Sequence, residues 1–234
     1  QPLLALKTNI HGSENVLSAA AKYSVPIFLA STSEVYGDNP NQPLSEDSNR
    51  VLGSPLSIRW TYSEAKAIDE SLAQIYHYEK GLRFIIGRFF NTVGPRQLGE
   101  YGMVLPRFAK AAISGADLEV YGDGTQTRVF CHVKDAVEAI LTLVECPNAW
   151  NDVFNIGGTG EISISELASM VVEQAKSNST IRYKSYTEAY SRGFQETFRR
   201  VPDIKKIHEV TGWKPRHTLN QIVEDVLKYA KSHS

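Results

Sequence analysis

The chain has 234 residues, of which 42% are hydrophobic, and its formal net charge at pH 7 is -1. This length supports one large core or one and a half typical domains, and the composition is that of a soluble globular protein. A charge so close to zero gives no electrostatic footprint for nucleic acid or for an anionic membrane, so neither is expected as a partner.

The cysteine content is low, with only Cys131 and Cys146. Two cysteines so far apart provide neither a disulfide framework nor a clustered metal site. Nothing at the amino end resembles a basic region followed by an apolar signal core. We therefore expect no bound metal and a cytoplasmic location.

The first part of the chain predicts alternating helices and strands. An amphipathic helix is predicted over Leu3–Tyr23 and a buried parallel strand over Pro26–Ala30. After a polar loop, a second helix ends at Gly81, a common helix terminator, and an apolar strand follows over Leu82–Phe90. The order helix, strand, helix, strand predicts a doubly wound α/β fold with a parallel sheet.

The second part of the chain is mixed. We predict helices over Val104–Ser114, Val133–Glu145, Ile164–Lys176 and Leu219–Ser232, and strands over Leu118–Gly122, Val153–Gly157 and Ile181–Tyr183. Either Ser163 or Ser165 is suited to cap the third of these helices.

Tyr62 and Lys66 are four residues apart on the second predicted helix, so they share one face. A free tyrosine titrates near pH ~10, and a base that works at neutral pH needs a shift of about three units, or ~4 kcal/mol. A lysine charge, a cationic cofactor ring and a hydroxyl hydrogen bond can jointly supply it. The alternative is a surface pair, the usual meaning of such a motif in isolation.

Eight segments carry a family resemblance. They are Asn9–Gly12, Leu29–Gly37, Tyr62–Lys66, Arg88–Arg96, Val120–Arg128, Phe154–Gly158, Arg199–Asp203 and Gly212–Pro215. In this order they resemble the extended short-chain dehydrogenases/reductases that modify nucleotide-activated sugars. UDP-glucuronate decarboxylases and UDP-glucose 4-epimerases look most similar. The resemblance implies NAD as cofactor, a UDP-sugar as substrate, and a homodimer in which the first two helices pair with those of a second subunit.

The resemblance also divides the chain. Residues 1–95 and 129–158 are expected to form the remainder of a Rossmann-like NAD-binding domain, and residues 96–128 and 159–234 a small α/β substrate domain. The family opens with a glycine-rich turn that holds the dinucleotide pyrophosphate. No such fingerprint precedes the first helix here, so the N-terminal part is expected to be missing. If the molecule begins at Gln1, we expect little NAD binding, and a non-catalytic nucleotide-sugar-binding fragment is the alternative.

The resemblance assigns the chemistry to two neighbouring segments. Tyr62 would take a sugar hydroxyl proton, with Lys66 lowering its pKa and bonding the cofactor ribose, and Thr32 would donate to the same sugar oxygen. Dehydratases of the family tend to carry Asp-Glu at the positions of Ser33 and Glu34, and simple epimerases often carry a small residue at the second. Ser-Glu is more similar to the decarboxylases and argues against a hexose 4,6-dehydratase.

A carboxylate at Glu34 would repel a substrate carboxylate unless it is protonated or offset by a cation, and Arg200 is the family-matched cation. The alternative for Glu34 is a structural role in which its side chain hydrogen-bonds a loop backbone. The alternative for Arg199 and Arg200 is a solvated basic patch, the usual role of paired arginines. Met103 stands where decarboxylases often carry an arginine that touches the cofactor, which keeps the 4-epimerase alternative open.

The remaining expected contacts also come from the resemblance. Cofactor contacts are expected at Ser31, Phe89 and Thr92, and substrate contacts at Asn91, Leu118, Val120, Tyr121 and Arg128. Leu118, Val120 and Tyr121 would frame the nucleotide base, and Arg128 would pair with the diphosphate. An apolar strand edge is the alternative for Leu118 and Val120.

Overall fold

A computed structural model describes residues 1–99, 103–186 and 197–233. Seven helices lie in these ranges, α1 Pro2–Lys22, α2 Thr61–Lys80, α3 Val104–Ser114, α4 Val133–Glu145, α5 Ile164–Ala175, α6 Lys205–Thr211 and α7 Leu219–Ser232. The strands are β1 Ile27–Thr32, β2 Phe84–Phe89, β3 Thr92–Val93, β4 Leu118–Tyr121, β5 Thr127–Val129, β6 Cys131–His132, β7 Asp152–Ile156, β8 Glu161–Ser163 and β9 Ile181–Lys184.

The main sheet has three parallel strands in the order β1-β2-β7. Thr32, Phe89 and Ile156 are register partners at its carboxyl edge. In open α/β sheets ligands bind outside this edge, because the loops that leave the strands converge there. The predicted Thr32–Glu34 segment therefore starts where a ligand is expected.

Helices cover both faces of this sheet. On one face, Leu17 of α1 and Ala73 of α2 pack with Leu29, Phe84 and Ile86 of β1 and β2. Successive residues of a strand point to opposite faces of the sheet. Because β2 is the central strand, both of its faces need an apolar cover.

On the opposite face, Ala139 and Leu143 of α4 pack with Ile85 and Phe154 of the sheet. Ile207 of α6 joins this cluster, although it belongs to the segment predicted for the second domain. The doubly wound parallel arrangement is confirmed.

A second core lies beside the sheet and is built from α3, α5 and α7. Phe108, Leu167 and Val223 of these helices enclose Leu118 and Val120 of β4, all fully buried. Strand β4 pairs in parallel with β9, and β5 pairs antiparallel with β8. This is the small α/β unit that was expected. In the part of the chain that the structure describes, no helix is long and apolar enough to cross a membrane.

Candidate active site

The helix that carries the predicted phenol begins directly beside the carboxyl edge of the sheet. Helix α2 starts at Thr61, so Tyr62 lies in its first turn and Lys66 one turn later on the same side. The Tyr62 side chain is 46% exposed, whereas that of Lys66 is only 15% exposed. A ligand in the cleft can therefore reach the phenol.

Thr32 connects this helix to the end of β1. Its Oγ1 caps the short 3-10 turn that follows, accepting from the Glu34 backbone N at 3.2 Å. Its side chain also interacts with the Tyr62 phenol and acts to lower the pKa of that phenol. The two hydroxyls predicted to act on one sugar oxygen are thus adjacent.

The pKa of Tyr62 is raised above its ordinary value. Burial is the largest cause, the negative charge of Glu34 adds to it, and the hydrogen bond from Thr32 acts in the opposite direction. The Lys66 Nζ donates to Oδ2 of the buried Asp69 at 3.2 Å. Of the groups expected to lower the pKa of Tyr62 jointly, the Thr32 hydroxyl acts in that direction here.

Glu34 lies between two arginines. Arg59 Nη1 is 2.6 Å from its Oε2, and Arg200 Nη1 makes a close ion pair with its Oε1. Burial alone would raise the pKa of Glu34, but Arg200 and then Arg59 outweigh it and lower the pKa to about 2. Glu34 is therefore a carboxylate at neutral pH and has no proton to donate.

Arg200 is buried, which excludes the solvated basic patch for this residue. Its Nη1 also donates to Ser33 Oγ at 3.4 Å. Among the described residues its Nε has no hydrogen-bond partner. By contrast, Arg199 pairs with Glu161 at the surface, at 2.7 Å and 2.8 Å.

Arg59 is the site residue that the sequence reasoning missed. It lies in the 3-10 turn Ile58–Trp60 that leads into α2, and its Nη2 also donates to Thr197 Oγ1 at 3.3 Å. The available signal was its position three residues before Tyr62, because residues three apart at a helix start share a side.

The positions expected to contact the cofactor differ in accessibility. Ser31 is buried and its hydroxyl donates to Glu70. Phe89 packs against Phe28, with ring centroids 6.3 Å apart. Within the described ranges, Oγ1 of Thr92 is buried without a hydrogen-bond partner. Of these three positions, Thr92 is therefore the one whose side chain has a polar atom without a hydrogen-bond partner among the described residues.

The positions expected to frame the base include core residues. Leu118 and Val120 are fully buried in the second core, which favours the apolar strand that the sequence left as the alternative. Of the three positions only Tyr121 is partly open, and the Arg107 guanidinium lies over its ring at 4.1 Å. A base that binds here would contact Tyr121.

The two polar positions expected to bind the substrate are held by backbone. Asn91 Nδ2 donates to the Val129 carbonyl at 2.9 Å, which fixes the turn after β2. Arg128 Nη1 donates to the Thr127 carbonyl at 2.8 Å. Across the described residues, no group of three or more His, Cys, Asp or Glu side chains is arranged to hold a metal ion.

The sequence is similar to curated decarboxylases. UDP-N-acetyl-alpha-D-glucosaminuronate decarboxylase of Bacillus cytotoxicus is 39% identical over 225 residues, which cover 96% of this chain and 69% of that protein. UDP-glucuronic acid decarboxylase 2 of Arabidopsis thaliana is 37% identical over 220 residues, 94% of this chain. The chain spans only 47% of the length of that plant relative.

The fold is similar to solved epimerases. UDP-glucose 4-epimerase of Thermotoga maritima, solved with UDP-glucose, aligns with a TM-score of 0.88 and 28% identity, covering 100% of this chain and 72% of that one. UDP-glucuronic acid 4-epimerase of Bacillus cereus, in complex with UDP-glucuronic acid and NAD, gives 0.84 and 26%, covering 97% and 69%. The profile of the NAD dependent epimerase/dehydratase family matches residues 1–157. The chain belongs to the NAD dependent epimerase/dehydratase family.

Proposed function

We propose that this chain carries the NAD-dependent decarboxylation of a UDP-sugar acid, with UDP-glucuronate as the reference substrate. The observation that carries the proposal is the ionised Glu34 between Arg59 and Arg200, next to the hydroxyls of Thr32 and Tyr62. The relatives that are 37–39% identical are named as decarboxylases of UDP-sugar acids, which supports the same reaction class.

The residues at the carboxyl edge of the sheet fit the reactive end of NAD. Tyr62 is accessible, Lys66 follows on the same helix face, and Thr92 offers a buried hydroxyl with an unsatisfied oxygen among the described residues. Tyr62 and Lys66 would hold the nicotinamide ribose, and Thr92 would contact the cofactor. When bound, NAD supplies reversible hydride acceptance, which interconverts the alcohol and the ketone at C4 of the sugar.

Tyr62 would move the proton at the C4 oxygen. The phenol has to be ionised for this, which a cationic nicotinamide ring beside it would favour together with the Thr32 hydroxyl. Its oxygen would then take the hydroxyl proton as the ketone forms. The sugar carboxylate is then β to a carbonyl. The bond between C5 and the carboxyl carbon breaks, its electron pair moves onto the C4 oxygen as an enolate, and carbon dioxide leaves. Tyr62 and Thr32 would hold that oxygen until C5 takes a proton from solvent. Return of the hydride to C4 and of the proton from Tyr62 to the C4 oxygen would then give the UDP-pentose.

The arginines would make this substrate acceptable. Glu34 is ionised, so a second carboxylate in the same cleft would be repelled unless cations lie beside it. Arg200 and Arg59 both contact Glu34 and supply that positive charge from two sides. A neutral hexose needs no such arrangement.

The second candidate is a UDP-glucose 4-epimerase. It is favoured by the solved structures, since both the T. maritima and the B. cereus proteins are named as 4-epimerases. The same Tyr62 and Thr32 would serve it, because the ketone at C4 is common to both reactions. The two arginines beside Glu34 are the feature that it does not use, because a neutral hexose brings no carboxylate.

Product analysis tests the proposal. The chain is incubated with NAD and UDP-glucuronate labelled in the carboxyl carbon, and in parallel with UDP-glucose. We expect labelled carbon dioxide and a UDP-pentose from the first substrate. UDP-galacturonate without carbon dioxide, or UDP-galactose from UDP-glucose, would establish the epimerase instead. No product from either would favour the non-catalytic fragment.

The organisation of the whole chain is part of the proposal. Residues 1–95 and 129–158 would form the cofactor-binding part and residues 96–128 and 159–234 the substrate-binding part, except that Ile207 packs on the sheet. We propose a homodimer through α1 and α2, whose exposed apolar side chains include Val16 and Ile75. A reducing cytoplasm agrees with the free Cys131 and Cys146.

A further inference from the structure

A row of polar residues crosses the main sheet one residue below its carboxyl edge. Ser31, Arg88 and Asn155 are register partners on β1, β2 and β7, on the face that α2 covers. The same face is apolar two residues earlier, at Leu29 and Ile86. Burying a charged group in such a layer is unfavourable unless it is paired, so the row needs a partner for Arg88.

Glu70 of α2 is that partner. Arg88 Nε is 3.0 Å from its Oε1 and Arg88 Nη2 is 2.7 Å from its Oε2, a two-pronged pair with both side chains only 13–14% exposed. Burial alone would lower the pKa of Arg88, but the hydrogen bonds and charges of Glu70 and Tyr36 together outweigh burial and raise the pKa above its ordinary value. Ser31 Oγ donates to Glu70 Oε1, the oxygen that also accepts from Arg88 Nε.

Further hydrogen bonds join Arg88 to Tyr36, Glu46 and, through Tyr36, Asn155. Arg88 Nη1 donates to the Tyr36 hydroxyl and to the Glu46 carbonyl, both at 2.9 Å. The Tyr36 hydroxyl donates to Asn155 Oδ1 at 2.7 Å, and burial raises the pKa of Tyr36 to about 12, so this phenol keeps its proton. Arg88 therefore has a defined place relative to all three strands.

Glu70 of the Glu70–Arg88 ion pair lies on the same helix as Tyr62 and Lys66. Glu70 follows Tyr62 by eight residues and Lys66 by four, so it lies on their helix face, about two turns below the phenol. Ser31 immediately precedes Thr32. One carboxylate thus ties the helix that carries Tyr62 to the strand that carries Thr32.

We propose that Glu70, held by Arg88 and Ser31, is a positioning residue that keeps the Thr32 hydroxyl next to the Tyr62 phenol. For its effect on catalysis this inference rests on the proposed function. A purely stabilising role explains the pair less well, because buried ion pairs contribute little net stability relative to apolar replacements.

The test measures the titration of residue 62 without turnover. Tyr62 is replaced by difluorotyrosine, whose phenol titrates at lower pH, and the transition is followed by fluorine NMR in four backgrounds: unchanged, Thr32→Val, Ser31→Ala, and Ser31→Ala with Thr32→Val. Loss of the Thr32 donor should raise the midpoint by about half a unit to one unit. Ser31→Ala should raise it in part, and should add nothing once Thr32 is Val. Glu70→Gln should behave like Ser31→Ala with a larger effect.

A shift from Ser31→Ala or Glu70→Gln that persists in the Thr32→Val background would overturn the proposal, as would no shift at all. Ser31→Ala removes a single hydrogen bond, so it keeps the test valid if Glu70→Gln does not fold. Asp135→Asn is the matched control, because Asp135 is a buried carboxylate that accepts from His217 at 2.8 Å and 3.0 Å. Asp135 belongs to α4, which packs on the face of the sheet opposite to α2. Asp135→Asn should leave the midpoint unchanged.

Kinetics provide the second readout. Glu70→Gln should lower kcat about 10-fold to 100-fold with KM nearly unchanged, because misplaced reacting groups slow the chemical step. Asp135→Asn, compared at equal loss of stability, should keep kcat, and an equal fall of kcat in both variants would contradict a positioning role. If the unchanged chain releases no carbon dioxide, the proposed function fails, whereas the NMR cycle still decides the positioning.

Discussion

At the residue scale, the charge on Glu34 is set by two guanidinium groups that outweigh its burial. Arg200 comes from a loop far along the chain, whereas Arg59 comes from the turn just before α2. A carboxylate held in this way accepts hydrogen bonds only, so a role as a general acid is excluded for Glu34 near neutral pH.

The first prediction concerns the pH dependence of stability. The folded-state pKa of Glu34, about 2, lies below its ordinary value of 4.5, so its contribution is complete above about pH 4.5 and is lost as the pH falls towards 2. Glu34→Gln should lower the free energy of unfolding at pH 7 by about 1–3 kcal/mol. The free energy of unfolding, measured by urea titration, should also fall less steeply between pH 4.5 and 2 in Glu34→Gln than in the unchanged chain. Parallel pH profiles for the two proteins would disprove the ion-paired state.

The second prediction concerns the phenol. Tyr62→Phe should reduce carbon dioxide release from UDP-glucuronate about 10²-fold to 10⁴-fold, the range of a lost proton-transfer group. Thermal stability should change little, because the side chain is half-exposed. Tyr78→Phe is the matched control on the same helix, since Tyr78 is 89% exposed. Similar activity in the two variants would remove Tyr62 from the mechanism.

At the scale of elements, helix α5 has a complete capping box. Ser163 Oγ accepts from the Glu166 backbone N at 3.1 Å, and the Glu166 carboxylate accepts from the Ser163 N at 3.0 Å. Of the two serines that the sequence offered, Ser163 is therefore the N-cap. Two otherwise unsatisfied backbone N–H groups at the start of the helix find partners in this way.

The third prediction follows from this cap. Ser163→Ala should lower the free energy of unfolding by about 1 kcal/mol, because the cap and its reciprocal bond are lost together. Ser165→Ala should cost less, since its Oγ makes long contacts and caps no helix: 3.4 Å to the Asp123 carbonyl and 3.3 Å to the Tyr183 hydroxyl. Both are measured by urea unfolding. An equal or larger loss for Ser165→Ala would reverse the assignment of the cap.

The predicted bounds of helices match the structure where the apolar pattern repeats over several turns. Helices α3, α4 and α7 have the bounds that the sequence indicated, because each repeats apolar residues over three or more turns. Strands β5 and β8 were missed. Each has three residues, too few for a period, and their antiparallel pairing joins segments more than thirty residues apart.

At the scale of the whole molecule, the site forms where the sheet edge meets the loop that carries Arg200. The sequence predicted that Tyr62, Thr32, Glu34 and Arg200 belong together, because each stands in a family segment. It did not predict Arg59, which lies outside those segments. The apolar residues of β4 also did not reveal whether Leu118 and Val120 face a core or a ligand. The helices that pack on β4 bury them, and the sequence of the strand alone does not show that packing.

The fourth prediction concerns assembly. If α1 and α2 pair with a second copy, Ile75→Lys should shift the sedimentation coefficient towards that of a monomer, because a lysine would have to be buried at the contact. Leu56→Lys is the matched control, a change at a 92% exposed apolar residue in the loop before α2. Ile75→Lys sedimenting like the unchanged chain would argue against this interface.

The most direct test of the central claim is the product formed from UDP-glucuronate and NAD in deuterium oxide, read by proton and carbon NMR. Decarboxylation at the Tyr62 site predicts a UDP-pentose that lacks the carboxyl carbon and carries one deuterium at C5, because C5 takes its proton from solvent. A product that keeps all six sugar carbons, with C4 inverted and no deuterium at C5, would contradict it.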